Sequence, residues 1–169
     1  AIAYQVITCD RSAEGTLDIP ASFTGPAGTL PVTAIKEDAF QRCAALTKIN
    51  IPDSVSTIEN GAFAGCYALT SVTLPNGITR IQSDTFSTCI SLRAVTIPDG
   101  VISIESSAFY SCSQLRIVKI PDSVTSIGED AFVICESLET VTIPASVTDL
   151  HFGAFETCSA LKRVYFLGE

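Results

Sequence analysis

The sequence predicts a repeat solenoid, built from stacked coils of equal length and closed at its N-terminal end by a β-hairpin cap. Three observations predict it. Five consecutive 23-residue segments begin at Ile51, Leu74, Ile97, Ile120 and Ile143 without a slip, and a shortened copy occupies 30–50. Three residue types recur at the same spacing: Phe40, Phe63, Phe86, Phe109, Phe132 and Phe155; Cys43, Cys66, Cys89, Cys112, Cys135 and Cys158; Leu46, Leu69, Leu92, Leu115, Leu138 and Leu161. A proline returns at one place in each full unit, as Pro52, Pro75, Pro98, Pro121 and Pro144. A unit this short cannot bury its own apolar face, so neighbouring units must stack to bury it.

Within a unit, Leu69-x-x-Val72-x-Leu74 reads as a short strand whose apolar positions alternate. Pro75 and its analogues end that strand, because proline removes a ladder donor and favours a turn. Asn76-Gly77 and Asp99-Gly100 add turn chemistry immediately afterwards. Val55-x-x-Ile58 reads as extended, and Gly61-Ala62-Phe63-x-x-Cys66 as a single helical turn. Strand stacking at about 4.7–4.9 Å per coil makes six coils a rod or shallow arc on the order of 25–30 Å long.

The first 29 residues lie outside the repeat. Tyr4-Gln5-Val6-Ile7 and Thr16-Leu17-Asp18-Ile19 read as two strands joined by a turn at 10–15, forming a hairpin over the first coil. Residues 23–28, with Gly25-Pro26, read as a loop into that coil. The expected organisation is a cap and loop at 1–29, a six-coil solenoid at 30–166, and a tail or start of a cap at 167–169. Phe166 replaces the usual Ile and Leu167 the usual Pro, which fits either a capping last coil or a chain that continues.

The chain has 169 residues, 47% hydrophobic and 17% charged, enough for a sizeable core and too apolar for a disordered chain. No apolar run reaches membrane-spanning length, and no basic segment followed by an apolar stretch opens the chain, so neither a span nor a signal peptide is expected in it. A net charge of −8 argues against a nucleic-acid partner, which needs a basic stripe.

The string IPDSVTSIGEDAFVICESLETVTIP, with its variants across 30–166, resembles the BspA-like class of leucine-rich repeats. The resemblance implies a right-handed leucine-rich-repeat-like coil with a parallel β-sheet on its concave face and short helical turns or extended segments outside. It implies a cell-surface or secreted protein of a microbe associated with a host. It implies adhesion and protein binding, with host extracellular matrix or surface proteins among the partners.

The cysteines admit three readings. Metal binding needs closely spaced ligands, and no two cysteines here are nearer than 23 residues. Stacking would bring neighbouring ladder cysteines to about one coil rise, inside the Cα range of about 4.4–6.8 Å for disulfides. The third reading is a buried column of small apolar thiols in the turn, where leucine-rich repeats use Asn or Cys. On that reading about seven free thiols are expected. Cys9 lies off the ladder, either buried in the cap or available for pairing. The phenylalanine ladder, in register with Ala39, Ala62, Ala108, Ala131 and Ala154, is core and not a stacking platform for bases or sugars. His151 shares its register with Lys36, Glu59, Gln82, Glu105 and Gly128, a variable polar column, and reads as a surface residue. No nucleophile–base pair, phosphate loop, metal cluster or calcium-loop pattern is legible, so neither catalysis nor a cofactor is expected.

Charge is distributed unevenly. The acids concentrate in turns and in the outer segment, where carboxylates favour the start of a helical turn. Lys48, Arg93, Arg116, Lys119, Lys162 and Arg163, six of the ten basic residues, fall in the strands, with Glu139 the one acid there. The strand positions facing away from the core form the candidate binding surface: Lys48 and Asn50, Ser71 and Thr73, Ala94 and Thr96, Ile117 and Lys119, Thr140 and Thr142, Arg163 and Tyr165. Core positions repeat faithfully, whereas these vary in size and charge. Ile117 and Tyr165 are the candidate anchors. The plainer alternative is a set of ordinary β-formers on a solvated sheet. Capture of a protein partner through this face is the expected function; the alternative is a structural spacer or stalk that self-associates end to end. An ice- or glycan-binding row of Thr73, Thr96 and Thr142 ranks lower, being interrupted by Lys119.

Overall fold

The computed structural model describes residues 3–26 and 28–167. Four strands precede the regular repeats: β1 (Tyr4–Val6), β2 (Glu14–Asp18), β3 (Ser22–Gly25) and β4 (Gly28–Ile35). The repeats then alternate a first and a second strand per coil. These are β5 (Ala45–Asn50) and β6 (Thr57–Ile58), β7 (Ser71–Thr73) and β8 (Arg80–Ile81), β9 (Ala94–Thr96) and β10 (Ser103–Ile104), β11 (Ile117–Lys119) and β12 (Ser126–Ile127), and β13 (Thr140–Ile143) and β14 (Asp149–Leu150), followed by β15 (Arg163–Phe166).

The first strands form a broad parallel sheet in the order β11-β9-β7-β5-β2, with β13 and β15 paired beyond β11. Its register is the sequence repeat: Ser71 pairs with Ala94 and Ala94 with Ile117. In each strand the central Val or Ile is inward, and the residues on either side point out, the period of a half-buried strand. The second strands form a narrow parallel sheet, β14-β12-β10-β8, while β6 pairs with β4 and β4 with β1 in a separate sheet. Val55, Ile58, Val101, Ile104, Val124 and Ile127 are all buried behind it, which is why the expected extended segment becomes a sheet.

The segment around each core phenylalanine is not a helical turn; the described residues contain no helix. It is a run of turns flanked by two left-handed residues. One column is Asp38, Gly61, Asp84, Ser107, Asp130 and Gly153; the other is Arg42, Gly65, Thr88, Ser111, Ile134 and Thr157, all with φ between 55° and 72°. Backbone N–H groups alternate in direction. Asp38, Phe40 and Arg42 donate to carbonyls of the following coil (Asn60, Ala62 and Ala64, 2.8–3.1 Å), whereas Ala39, Gln41 and Cys43 donate three residues back. A helix would turn every donor inward and leave the next coil's carbonyls without partners. The left-handed residues let one strip of backbone serve both its own coil and its neighbour. Most L-residues resist that conformation, at roughly 1–2 kcal/mol each. Gly65 adopts it freely, while Thr88, Ile134 and Thr157 are β-branched and strained there.

The core runs the length of the coils. Phe40, Phe63, Phe86, Phe109, Phe132 and Phe155 stack with centroids 5.1–5.4 Å apart and near-parallel rings. Thr85 stands in the alanine column; its buried hydroxyl donates to the Gln82 carbonyl at 2.7 Å, so the substitution leaves no polar group unpaired.

At the N-terminus the structure differs from the expected hairpin. β1 and β2 do not pair with each other. β1 pairs in parallel with β4, placing Gln5 opposite Ala34, and β2 pairs in parallel with β5, placing Leu17 opposite Ile49. Residues 4–19 therefore trace a degenerate coil that contributes one strand to each sheet. The antiparallel hairpin is β3 with β4, from Ser22 opposite Pro31 to Gly25 opposite Gly28, in the stretch read as a loop. Tyr4 packs edge-on against Phe23 at 5.2 Å and lies so close to Gly25 that a Cβ there would fall 1.9 Å from its hydroxyl. Sequence alternation marked the strands correctly but carried no information on their partners. At the other end Leu167 donates its N–H to the Ile143 carbonyl at 3.0 Å, while the remainder of the expected tail, 168–169, lies outside the described residues.

Two substitutions test this packing. Phe86→Ala breaks the ring stack mid-column and is expected to cost about 3–5 kcal/mol by chemical denaturation. Thr157→Gly relieves a strained, exposed left-handed residue; relief of roughly 1–2 kcal/mol set against the entropy cost of about 0.5–1 for glycine gives an expected net gain of about 0.5–1. Equal stability of Thr157→Gly and the parent would contradict the strain.

Candidate functional site: the broad sheet face

Strand pairing assembles the candidate residues into two rows. Lys48, Ser71, Ala94 and Ile117 are successive partners across β5, β7, β9 and β11, as are Asn50, Thr73, Thr96 and Lys119. On β13 and β15, Thr140 faces Arg163 and Thr142 faces Tyr165. All are exposed except Asn50, which is half-buried and hydrogen-bonded to the Asp18 carboxylate. No ladder joins β11 to β13, so the face has two parts: the rows up to Ile117 and Lys119, and the block of Thr140, Thr142, Arg163 and Tyr165.

Ile117 is 68% exposed, an unusual state for a large aliphatic on a sheet whose neighbouring valines are buried. Around it lie Lys119, two residues along the strand, and a third row beside the two candidate rows. Arg93 and Arg116 sit one residue before β9 and β11, both exposed, and Arg116 N–H donates to the Arg93 carbonyl at 3.0 Å. They are successive steps of a single column. Four ion pairs occur among the described residues: Lys36–Glu59, Arg80–Glu105, His151–Asp149 and Lys162–Glu139. Only the last is on this face, so Lys48, Arg93, Arg116, Lys119 and Arg163 face solvent without an acidic partner. The signal for Arg93 and Arg116 was in the sequence as the basic bias of the strands. Their row was missed because its first two members are Thr47 and Thr70, of which Thr70 caps the Thr47 carbonyl through its hydroxyl.

Elsewhere the candidates fall where their registers placed them. His151 is half-exposed, its Nε2 3.1 Å from Asp149 Oδ2. Among the described residues no group of three or more His, Cys, Asp or Glu side chains could hold a metal ion. No described helix is long and apolar enough to cross a membrane.

The profile of the BspA type leucine rich repeat region matches residues 33–162 in six copies. The chain belongs to the BspA-type leucine-rich repeat family. Among solved structures it is similar to a leucine rich cell surface protein of Faecalibacterium prausnitzii, at 32% identity over 93% of this chain and 48% of that one, with a TM-score of 0.71. It shares its fold with a leucine-rich repeat protein of Eubacterium ventriosum (22% identity, 94% and 47% covered, TM-score 0.72) and with the pneumococcal vaccine antigen PcpA (21%, 96% and 42%, 0.71). The chain thus spans just under half the length of each. No curated protein sequence matches it.

In this BspA-type repeat the cysteine ladder is a column of hydrogen-bond donors. Cys66, Cys89, Cys112, Cys135 and Cys158 each direct Sγ to the phenylalanine carbonyl of the preceding coil, from Phe40 to Phe132, at 3.2–3.4 Å. Phe63 O already accepts the Cys66 N–H, so the Cys89 thiol fills its second lone pair. All seven cysteines are free. Burial pushes the Cys66 thiol up to about 12, with the neighbouring Cys43 sulfur adding to the rise and the backbone bond opposing it. Cys89 and Cys112 rise well above 9.0 for the same leading reason.

A thiol whose folded value is raised binds its proton more tightly in the native state, so its contribution to stability is complete below the unfolded value of 9.0 and is lost as pH climbs toward about 12. The urea midpoint of the reduced protein is therefore expected to fall between about pH 9 and pH 11, and to fall less for Cys66→Ala. Parallel profiles for the two proteins would remove the thiol column from the account.

Proposed function

We propose that this chain is the protein-binding module of a cell-surface or secreted protein, and that it captures its partner through the broad sheet face. The observation that carries this reading is the exposed Ile117 ringed by Arg93, Arg116 and Lys119, none of them paired with an acid. Arg93 and Arg116 stack on adjacent coils, and like charges so placed repel unless an anion meets them. Aromatic, arginine and exposed apolar groups are the usual energetic centres of protein interfaces. An acidic segment with an apolar side chain complements this spot, and Tyr165 with Arg163 offers a second contact. The 32% identity to a leucine rich cell surface protein supports placement at a surface, where extracellular matrix and cell-surface proteins are the accessible partners.

End-to-end self-association is a second reading, favoured by the last coil. Phe152 is 85% exposed and Phe166 63%, while Ile143, the register partner of Phe166, is 2% exposed one coil earlier. Among the described residues β14 and β15 are each paired on one side only. A second copy of the chain, set against that edge, would cover both.

Two experiments separate the readings. On an array of purified extracellular-matrix and cell-surface proteins, Arg116→Glu with Ile117→Ser and Lys119→Glu is expected to lose tenfold or more in binding. Ser56→Glu with Thr79→Glu, on the narrow-sheet side, should leave binding intact. Unchanged capture by the triple variant would eliminate the face as the site. Sedimentation velocity over a broad concentration range tests the second reading. Association abolished by Phe152→Ser with Phe166→Ser supports end-to-end contact, and a monomer throughout rejects it.

A further inference from the structure

Every ladder cysteine but one follows the same rule, an Sγ directed at a phenylalanine carbonyl in the coil before. Cys43 has no such partner in the degenerate coil ahead of it. Its Sγ instead lies 3.9 Å from the Asp10 carbonyl, a long contact even for sulfur. The same carbonyl oxygen is 3.3 Å from the Sγ of Cys9. Two thiols thus converge on one oxygen from adjacent coils.

The backbone fixes that approach on both sides. Cys9 donates its N–H to the Ala39 carbonyl at 2.7 Å. β1, just before Cys9, is paired with β4, and β2, just after it, with β5. The strands on either side of Cys9 are thereby held one strand spacing from the first repeat, about 4.7–4.9 Å, and that spacing lies inside the disulfide range of about 4.4–6.8 Å between Cα atoms. The Cys9 thiol is close enough to Cys43 to add, after burial, to the rise that carries the Cys43 thiol up to about 12. Cys9 is half-buried, whereas the ladder cysteines are buried. It is therefore the thiol that a soluble oxidant meets first.

We propose that Cys9 and Cys43 are a disulfide-forming pair, which in an oxidising compartment clasps the N-terminal coil to the first repeat. The oxidant is a soluble low-molecular-weight disulfide such as oxidised glutathione. The Cys9 thiolate attacks one glutathione sulfur; the glutathione disulfide bond breaks and the first glutathione leaves as a thiolate that takes up a proton. Cys43 then gives up its proton and attacks the Cys9 sulfur of the mixed disulfide, forming the Cys9–Cys43 bond, breaking the bond to glutathione and expelling the second glutathione, which takes up that proton. The protein loses two protons and two electrons, and one oxidised glutathione becomes two reduced molecules. The other ladder cysteines stay reduced, since their thiols are buried and each is already engaged in a hydrogen bond to a phenylalanine carbonyl.

Trypsin makes the pair directly readable. Cleavage after Arg11, Arg42 and Lys48 places Cys9 alone in the peptide 1–11 and Cys43 alone in the peptide 43–48. The native protein is incubated with oxidised glutathione, denatured, alkylated and digested without reductant. The expected result is a protein lighter by two hydrogens, five alkylated cysteines out of seven, and peptides 1–11 and 43–48 joined and separable by reductant. Cys43→Ala should stop at a glutathione adduct on Cys9, and Cys9→Ser should remain fully reduced. The thermal midpoint should rise on oxidation in the parent and not in Cys9→Ser, a readout that survives if Cys43→Ala folds poorly. Seven alkylated cysteines, a stable glutathione adduct on parental Cys9, a Cys9–Cys9 dimer, or a bridge between two later ladder cysteines would each overturn the assignment.

Discussion

Coils can bond to one another along their whole perimeter only if each has the same contour length and bends at the same places. In the regular repeats the paired broad strands, the paired narrow strands and the phenylalanine turns all form hydrogen bonds with a coil 22 or 23 residues away. An extra residue at any point would move everything beyond it out of register on two sheets at once, and would turn strand side chains to the opposite face. The absence of any slip in the 23-residue period is the sequence expression of that constraint. It also accounts for strain. The two left-handed positions per coil are kept even where Thr88, Ile134 or Thr157 must occupy them, because the inter-coil bonds they allow outweigh a local cost of roughly 1–2 kcal/mol.

Side chains divide under the same constraint. Those that point inward meet their own kind from the coils before and after, so one successful choice is repeated: phenylalanine for ring on ring, leucine for volume, cysteine for a buried carbonyl. The thiol suits the last position because it combines the packing of a small apolar group with one weak donor. Outward positions meet only solvent, or whatever binds there. From Lys48 to Arg163 the first outward row of the broad sheet reads Lys, Ser, Ala, Ile, Thr, Arg, a variety that stacking neither requires nor forbids. Function can therefore be written on this face without disturbing the fold beneath it.

That division governs what could be read from the amino-acid sequence. Phe86, Cys89 and Leu92 announced the core because repetition is visible without coordinates, and the alternation around Val72 announced the broad strand and its outward residues. The narrow sheet was half legible: Val55 and Ile58 looked extended, but two residues are too few to declare a sheet until parallel neighbours are known. The turn was misread as helical because Gly61-Ala62-Phe63 has a helix-like spacing, and nothing in Asp38 or Ile134 signals a positive φ. Partner choice was least legible. Tyr4–Val6 and Glu14–Asp18 alternate as strands should, yet sequence proximity suggested a hairpin where space supplies parallel neighbours. The convergence of Cys9 on Cys43 was hidden by the same error, as it exists only when residues 4–19 are a coil.

Charge sets a further condition on the proposed binding face. The chain carries a net −8, so at low ionic strength an approaching acidic protein is repelled at long range while the arginines attract it only close in. With a screening length of about 8–10 Å at physiological salt, the two regimes separate: the net field is largely screened beyond that distance, and the local field of Arg93, Arg116 and Lys119 acts within it. On the proposed reading, a partner of strong overall negative charge would meet an encounter barrier at low ionic strength, where that screening is weak. The partner that fits is locally acidic and globally neutral or basic, presenting a short anionic stretch beside an apolar side chain for Ile117. The charged groups then set register and exclude wrong partners, while burial of Ile117 and Tyr165 supplies affinity, the division of labour expected when polar groups sit at the rim of an apolar contact.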